Sequence, residues 1–156
     1  MSQKDDKKVL DAISSSIDII KDFPKGEIYF RNISPLLTNN NLFQEILKIM
    51  VKNIRNSGLE FDYIAGMESC GFLFIQLANI FKCGFVMLIK PKKLPNVVTF
   101  TYENECGSNS LTIEKNIMRK GLRVLIVDDL IATCGTIDIT MNLVRMIGCE
   151  ASEQLG

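Results

Sequence analysis

The sequence predicts an α/β protein built on a doubly wound parallel sheet, and three observations carry that expectation. Short apolar runs, FDYIA at 61–65, GFVMLI at 84–89 and RVLIV at 123–127, have the length and composition of strands buried on both faces. Amphipathic helical patterns alternate with these runs, as parallel neighbours demand, because each crossover must carry the chain back along the sheet. Each run also ends in a small or polar turn, at 66–71, 90–95 and 128–136. In open α/β sheets ligands bind outside the carboxyl ends of the strands, so these three turns are expected to converge on one crevice.

In chain order, Leu10, Ile13, Ile17 and Ile20 are spaced for one helix face, and the proline and glycine of DFPKG at 22–26 end that helix. A second helix is expected to start with Asn40 or Asn41 as cap, to turn Phe43, Ile46, Met50 and Ile54 inward, and to stop at Gly58. GMESCG at 66–71 reads as a small polar turn, and the apolar segment 72–81 as a buried helix. Between 90 and 118 the pattern changes. KPKKLP is basic and proline-punctuated, VVTFTYE alternates, NECGSNS reads as a turn and LTIEKNI as a second strand, so a hairpin or flap standing off the sheet is expected. Ile137, Met141, Val144 and Ile147 then line a helix ended by Gly148, and the polar CEASEQLG is a weak candidate for a further strand.

The bulk composition narrows the function. A chain of 156 residues with 47% hydrophobic content is expected to form a single domain over 1–156. Lys plus Arg and Asp plus Glu balance at 18 each, so no global field recruits nucleic acid or a membrane surface, and an anion site must be built locally. The polar start MSQKDDKK has no signal-peptide core, and no apolar run is long enough to span a bilayer; a soluble cytoplasmic protein is expected. Five cysteines without CxxC spacing, and no histidine, argue for free thiols and against zinc.

The chemistry concentrates in VLIVDDLIATCGTI at 124–137. A loop feeding free backbone N–H groups into a helix N-terminus is an anion site, and Thr133 and Thr136 add hydroxyl donors to ATCGT. Asp128 and Asp129 stand just before it. They would repel a phosphate unless they face a part of the ligand that offers donors, such as the vicinal hydroxyls of a ribose or the water shell of magnesium. A ribose 5-phosphate satisfies both demands. The same residues also read as a solvated strand end before an ordinary capped helix.

This stretch resembles the phosphoribosyl pyrophosphate signature of the type I phosphoribosyltransferases, and its Asp-Asp-Leu-Ile-Ala-Thr wording is most similar to the adenine phosphoribosyltransferases among them. Further motifs resemble that family in order: DFPKGEIYFRNISPLL its N-terminal base-binding hood (1–36), DYIAGMESCGFLF its pyrophosphate loop, KPKKLP its basic turn, and YENECG the tip of its flexible flap (90–118). The resemblance implies transfer of phosphoribose from phosphoribosyl pyrophosphate to adenine, giving AMP and pyrophosphate. Magnesium would be carried by the sugar-pyrophosphate substrate, with no direct protein ligand, and the family habit implies a homodimer. It further implies that Asp128 and Asp129 hold the ribose and that Ala132, Thr133, Cys134, Gly135 and Thr136 hold the 5-phosphate. Glu68, Ser69, Cys70, Gly71, Lys90 and Lys93 would meet the pyrophosphate; Ile28, Phe30, Arg31 and Leu130 the adenine; Glu105 would act in catalysis on purine protonation.

Several positions depart from the family pattern. Cys70 stands where an arginine is usual, Glu68 where an aspartate is, Cys106 in place of a tyrosine, and Cys134 in place of a glycine. A neutral thiol is a poorer partner for pyrophosphate than a forked, permanent cation. The alternative reading is therefore a catalytically weak relative that binds AMP or phosphoribosyl pyrophosphate as a regulatory or partner subunit.

Overall fold

The computed structural model describes residues 3–23, 26–27, 29–104, 107–129 and 134–155, with side chains for 7–23, 26–27, 29–101, 110–129 and 140–151. The chain forms two compact units, Met1–Ser57 and Gly58–Gly156.

In the first unit, α1 (Gln3–Ser15) packs on α3 (Asn40–Ser57), with β1 (Asp18–Lys21), β2 (Tyr29–Asn32) and α2 (Ser34–Thr38) between them in sequence. Helix α1 is shorter than its apolar spacing predicts, because Ile17 and Ile20 leave it. The serine run stops the helix: the Ser15 and Ser16 hydroxyls donate back to the Asp11 and Ala12 carbonyls at 2.8 and 2.9 Å. The β-branched residues that follow then form β1, antiparallel to β2, with Ile20 opposite Phe30. Asn39, not Asn40 or Asn41, caps α3, its Oδ1 accepting from the Leu42 N–H at 3.2 Å. Leu47 and Ile54, two turns apart, form the buried stripe of α3, and Gly58 leaves the helix at φ +68°.

The second unit is a parallel α/β sheet. Strand β3 (Tyr63–Met67) runs into α4 (Glu68–Phe72) and α5 (Ile75–Phe81), and β4 (Gly84–Leu88) follows. A hairpin of β5 (Val97–Asn104) and β6 (Gly107–Glu114) precedes β7 (Arg123–Val127), α6 (Cys134–Met146) and β8 (Glu150–Leu155). The sheet order is β4-β3-β7-β8, with every pairing parallel. Ala65, Val86, Val124 and Ile126 of the strands bury against Leu143 and Val144 of α6. At the amino end of the sheet, Asp62 accepts from the Arg123 N–H at 2.8 Å while its own N–H donates to the Arg123 carbonyl at 2.9 Å, which pins the β3–β7 register.

Two further expectations are revised and two are extended. GMESCG is no turn: Gly66 and Met67 complete β3, and Glu68 opens α4 directly. The segment 72–81 is two helices, because Leu73 and Phe74 bond back only three residues, to the Cys70 and Gly71 carbonyls at 3.2 Å each, and the axis restarts at Ile75. Only one side of α5 is buried, with Ile75 54% exposed. The hairpin forms as expected, yet its base belongs to the core: Thr112 and Ile113 are fully buried, and Thr112 bridges Ile89. The polar tail does form β8, since an edge strand needs backbone pairing with β7 more than an apolar face.

The turn from β3 into α4 depends on two glycines. A Cβ on Gly66 would lie 2.4 Å from the Gly71 carbonyl oxygen, and one on Gly71 would lie 2.7 Å from the Gly66 carbonyl carbon and 3.4 Å from the Val127 oxygen. Gly66→Ala and Gly71→Ala should each destabilise by about 2–3 kcal/mol, because the obstacle is backbone that cannot rotate away. Gly26→Ala, which meets nothing within 4 Å, should stay within about 0.5 kcal/mol. Urea midpoints of the three variants check the difference.

Candidate active site

Strand β7 delivers Asp128 and Asp129 at its carboxyl end, and β3 delivers Glu68, Ser69 and Cys70 at its own. These are neighbouring parallel strands, so the two ends lie side by side. Met67, Glu68, Ser69, Cys70, Leu111, Asp128 and Asp129 line one cavity of about 280 Å³. The turn after β4 reaches the same place, because the Lys90 backbone N–H donates to the Glu68 carboxylate. The expected convergence of three turns is therefore seen for 66–71, for Lys90 and for the start of 128–136.

Burial governs the electrostatics here. Asp128 is only 9% exposed, and desolvation, reinforced by the charge of Asp129, pushes its pKa up to about 7. The Asp129 N–H, donating to Asp128 Oδ1 at 3.0 Å, offsets part of that rise. Cys70 faces the same pair. Burial first, then the charge of Asp129 and a hydrogen bond to its carboxylate, holds the Cys70 thiol protonated above its ordinary value. With that raised value it stays a thiol and is not a nucleophilic thiolate. The adjacent carboxylates are poised for a ligand that brings donors or a hard cation, either of which favours the charged form of Asp128.

The other expected residues fall as follows. Gly71 is buried against Gly66 beneath the loop. Lys93 is exposed in the turn after β4 and is not on the cavity wall. Phe30 and Arg31 lie on β2 of the first unit, where the Phe30 ring meets Phe23 edge-on at 5.3 Å. Backbone at Cys134, Gly135 and Thr136 forms the first turn of α6. Glu105, Ile28, Leu130, Ala132 and Thr133 lie outside the described residues, as does Cys106. Cys70, Cys83 and Cys149 are free thiols.

Two wall residues were not anticipated. Met67 was read as part of a turn, although the apolar run before it could have been extended to include it. Leu111 belongs to the predicted hairpin, and its place over the acidic pair follows only from the fold-back of β6 onto Ile89. Behind the wall, Thr140 is fully buried on α6 and donates to Met67 Sδ at 2.8 Å, tying that helix to the cavity.

Residues 32–153 match the phosphoribosyl transferase domain family. The adenine phosphoribosyltransferase of Microcystis aeruginosa is 44% identical over 140 residues, covering 88% of this chain and 81% of that protein. The crystal structure of adenine phosphoribosyltransferase from Thermoanaerobacter pseudethanolicus matches with a TM-score of 0.85 at 39% identity, covering 93% of this chain and 84% of that one. The Saccharomyces cerevisiae adenine phosphoribosyltransferase, complexed with an imino-altritol bisphosphate and adenine, gives the same TM-score at 32% identity, covering 96% and 90%. A parallel sheet that opens its carboxyl edge on an acidic pair, matched by sequence across most of its length, makes this chain a member of the phosphoribosyl transferase domain family.

Proposed function

We propose that this chain is an adenine phosphoribosyltransferase, which moves phosphoribose from phosphoribosyl pyrophosphate to N9 of adenine. The C1′–O bond to pyrophosphate breaks, the C1′–N9 bond forms, the N9 proton is lost, and AMP and pyrophosphate leave. One observation carries the reading: Asp128 and Asp129 face the Glu68–Cys70 loop across a single cavity, in a chain 44% identical to an adenine phosphoribosyltransferase. Asp128 and Asp129 take the ribose hydroxyls, directly or through the hydrated magnesium that arrives on the substrate. Hard carboxylate oxygens suit that ion. The loop and the Lys90 turn receive the pyrophosphate, and the first turn of α6 receives the 5-phosphate, where unpaired N–H groups and the helix dipole favour an anion. Glu105 is assigned to the proton on the purine. Holding sugar, leaving group and base together lowers the barrier by orientation and by stabilising the departing charge.

Cys70 favours a second reading, of a relative that binds AMP or phosphoribosyl pyrophosphate but turns over weakly. Its thiol is neutral, held above its ordinary value by burial and the charge of Asp129, so it offers the leaving pyrophosphate no cation.

Four outcomes test these readings. AMP should form from adenine, phosphoribosyl pyrophosphate and magnesium, with hypoxanthine and guanine inert; no turnover with any base from folded protein would leave the binding relative. Changing both Asp128 and Asp129 to asparagine should weaken sugar-pyrophosphate binding by about a hundredfold or more, measured by calorimetry, while the circular dichroism spectrum is retained. Cys70→Arg should raise kcat about tenfold if missing charge limits departure of pyrophosphate; an unchanged kcat would remove that account. For Asp128 the folded pKa lies above the unfolded one, so the native state binds the extra proton and its stabilisation fades as pH rises from about 4 to about 7. The Tm of the ligand-free protein should therefore fall across that window, and Asp128→Asn should flatten the slope.

A further inference from the structure

Glu68 carries two features that its place in an anion-binding loop does not require. Its backbone sits at φ +50°, a left-handed conformation that a residue with a Cβ resists. Its carboxylate accepts the backbone N–H of Lys90, twenty-two residues further along the chain. A charge-assisted bond of this kind is among the stronger ones available to a peptide N–H. It can hold the loop in a conformation that local preference opposes.

The next residue back from Lys90 carries the connection onward. Ile89 and Thr112 exchange backbone hydrogen bonds at 3.1 and 2.7 Å, and the Thr112 hydroxyl donates to the Ile89 carbonyl at 2.9 Å. Thr112 is fully buried, so this junction is shielded from water. Its neighbour Leu111 is the hairpin residue that walls the cavity over Cys70, Asp128 and Asp129. An unbroken run of hydrogen bonds and peptide links therefore joins the floor of the cavity at Glu68 to its apolar wall at Leu111.

We propose that Glu68 is a positioning residue that ties the Glu68–Gly71 loop to the base of the β5–β6 hairpin through the Lys90 N–H, so that loop conformation and hairpin seating are set together. This rests on the phosphoribosyl transfer reading for its kinetic consequence, but not for its structural one. The length of the side chain is what matters: an aspartate, one methylene shorter, falls short of Lys90, whereas glutamine keeps both the reach and an acceptor oxygen.

The test is hydrogen exchange of the Lys90 amide together with steady-state kinetics in Glu68→Ala, Glu68→Asp, Glu68→Gln and Glu68→Gly. Alanine and aspartate should each speed Lys90 exchange about tenfold and raise KM for phosphoribosyl pyrophosphate about tenfold, with KM for adenine changed about twofold at most. Glutamine should restore most of the amide protection and of the KM. Glycine relieves the positive φ but removes the acceptor, so it should match alanine in exchange even if alanine folds poorly. Wild-type Lys90 protection in Glu68→Ala or Glu68→Gly would overturn the proposal, as would a Glu68→Gln protein as defective as Glu68→Ala. Absence of adenine turnover in the wild type would sink the transfer reading instead, with the exchange data still deciding the role of Glu68.

Discussion

The candidate site depends on a backbone contact between two glycines. Because Gly66 and Gly71 carry no side chains, β3 can pass directly into α4 and lay the start of that helix against the end of β7. Adding even one carbon there would move Glu68, Ser69 and Cys70 away from Asp128 and Asp129. The cavity would then lose one of its two walls. Packing this tight transmits displacement rather than absorbing it, which is why a site built on it is specified by small residues beside the chemical ones.

Around that contact the structure places groups that are uncomfortable without a ligand. Asp128 is nearly buried next to a second carboxylate, and Cys70 is a neutral thiol on the same cavity wall. Stability is given up to hold these groups in place, and the donors of a substrate recover it. The surrounding support is apolar or hydrogen-bonded. Val124, Leu125, Ile126 and Val127 are fully buried beneath the aspartates, and Thr140 bonds to Met67 at the floor. A rigid base of this kind keeps two like charges from moving apart.

The hairpin shows how one element serves two purposes. Its base, through Thr112 and Ile113, is part of the hydrophobic core and packs against α6, while Leu111 reaches the cavity. Anchoring at Ile89 sets where the two strands emerge from the sheet. The segment is thus a projection with a fixed root, and what happens at the root is felt at the cavity wall.

The sequence by itself determined the parallel α/β class, the three core strands and the acidic pair. Short apolar runs bounded by turns have the length and composition of strands buried on two faces, and Asp128 and Asp129 directly follow the last of them. It also determined the hairpin, through alternation in VVTFTYE. It did not determine local boundaries where competing preferences are close in energy. Ile17 and Ile20 fit a helical face, but the serine hydroxyls end the helix before Ile17 and the β2 partner draws Ile20 into a strand. The polar CEASEQLG could become β8 only once β7 offered its edge. Tertiary structure alone decided that Lys90 meets Glu68, that Cys70 shares a cavity with Asp129, and that Leu111 closes it. Each joins residues far apart in the chain, and such meetings are set by strand order and register, which no local pattern encodes.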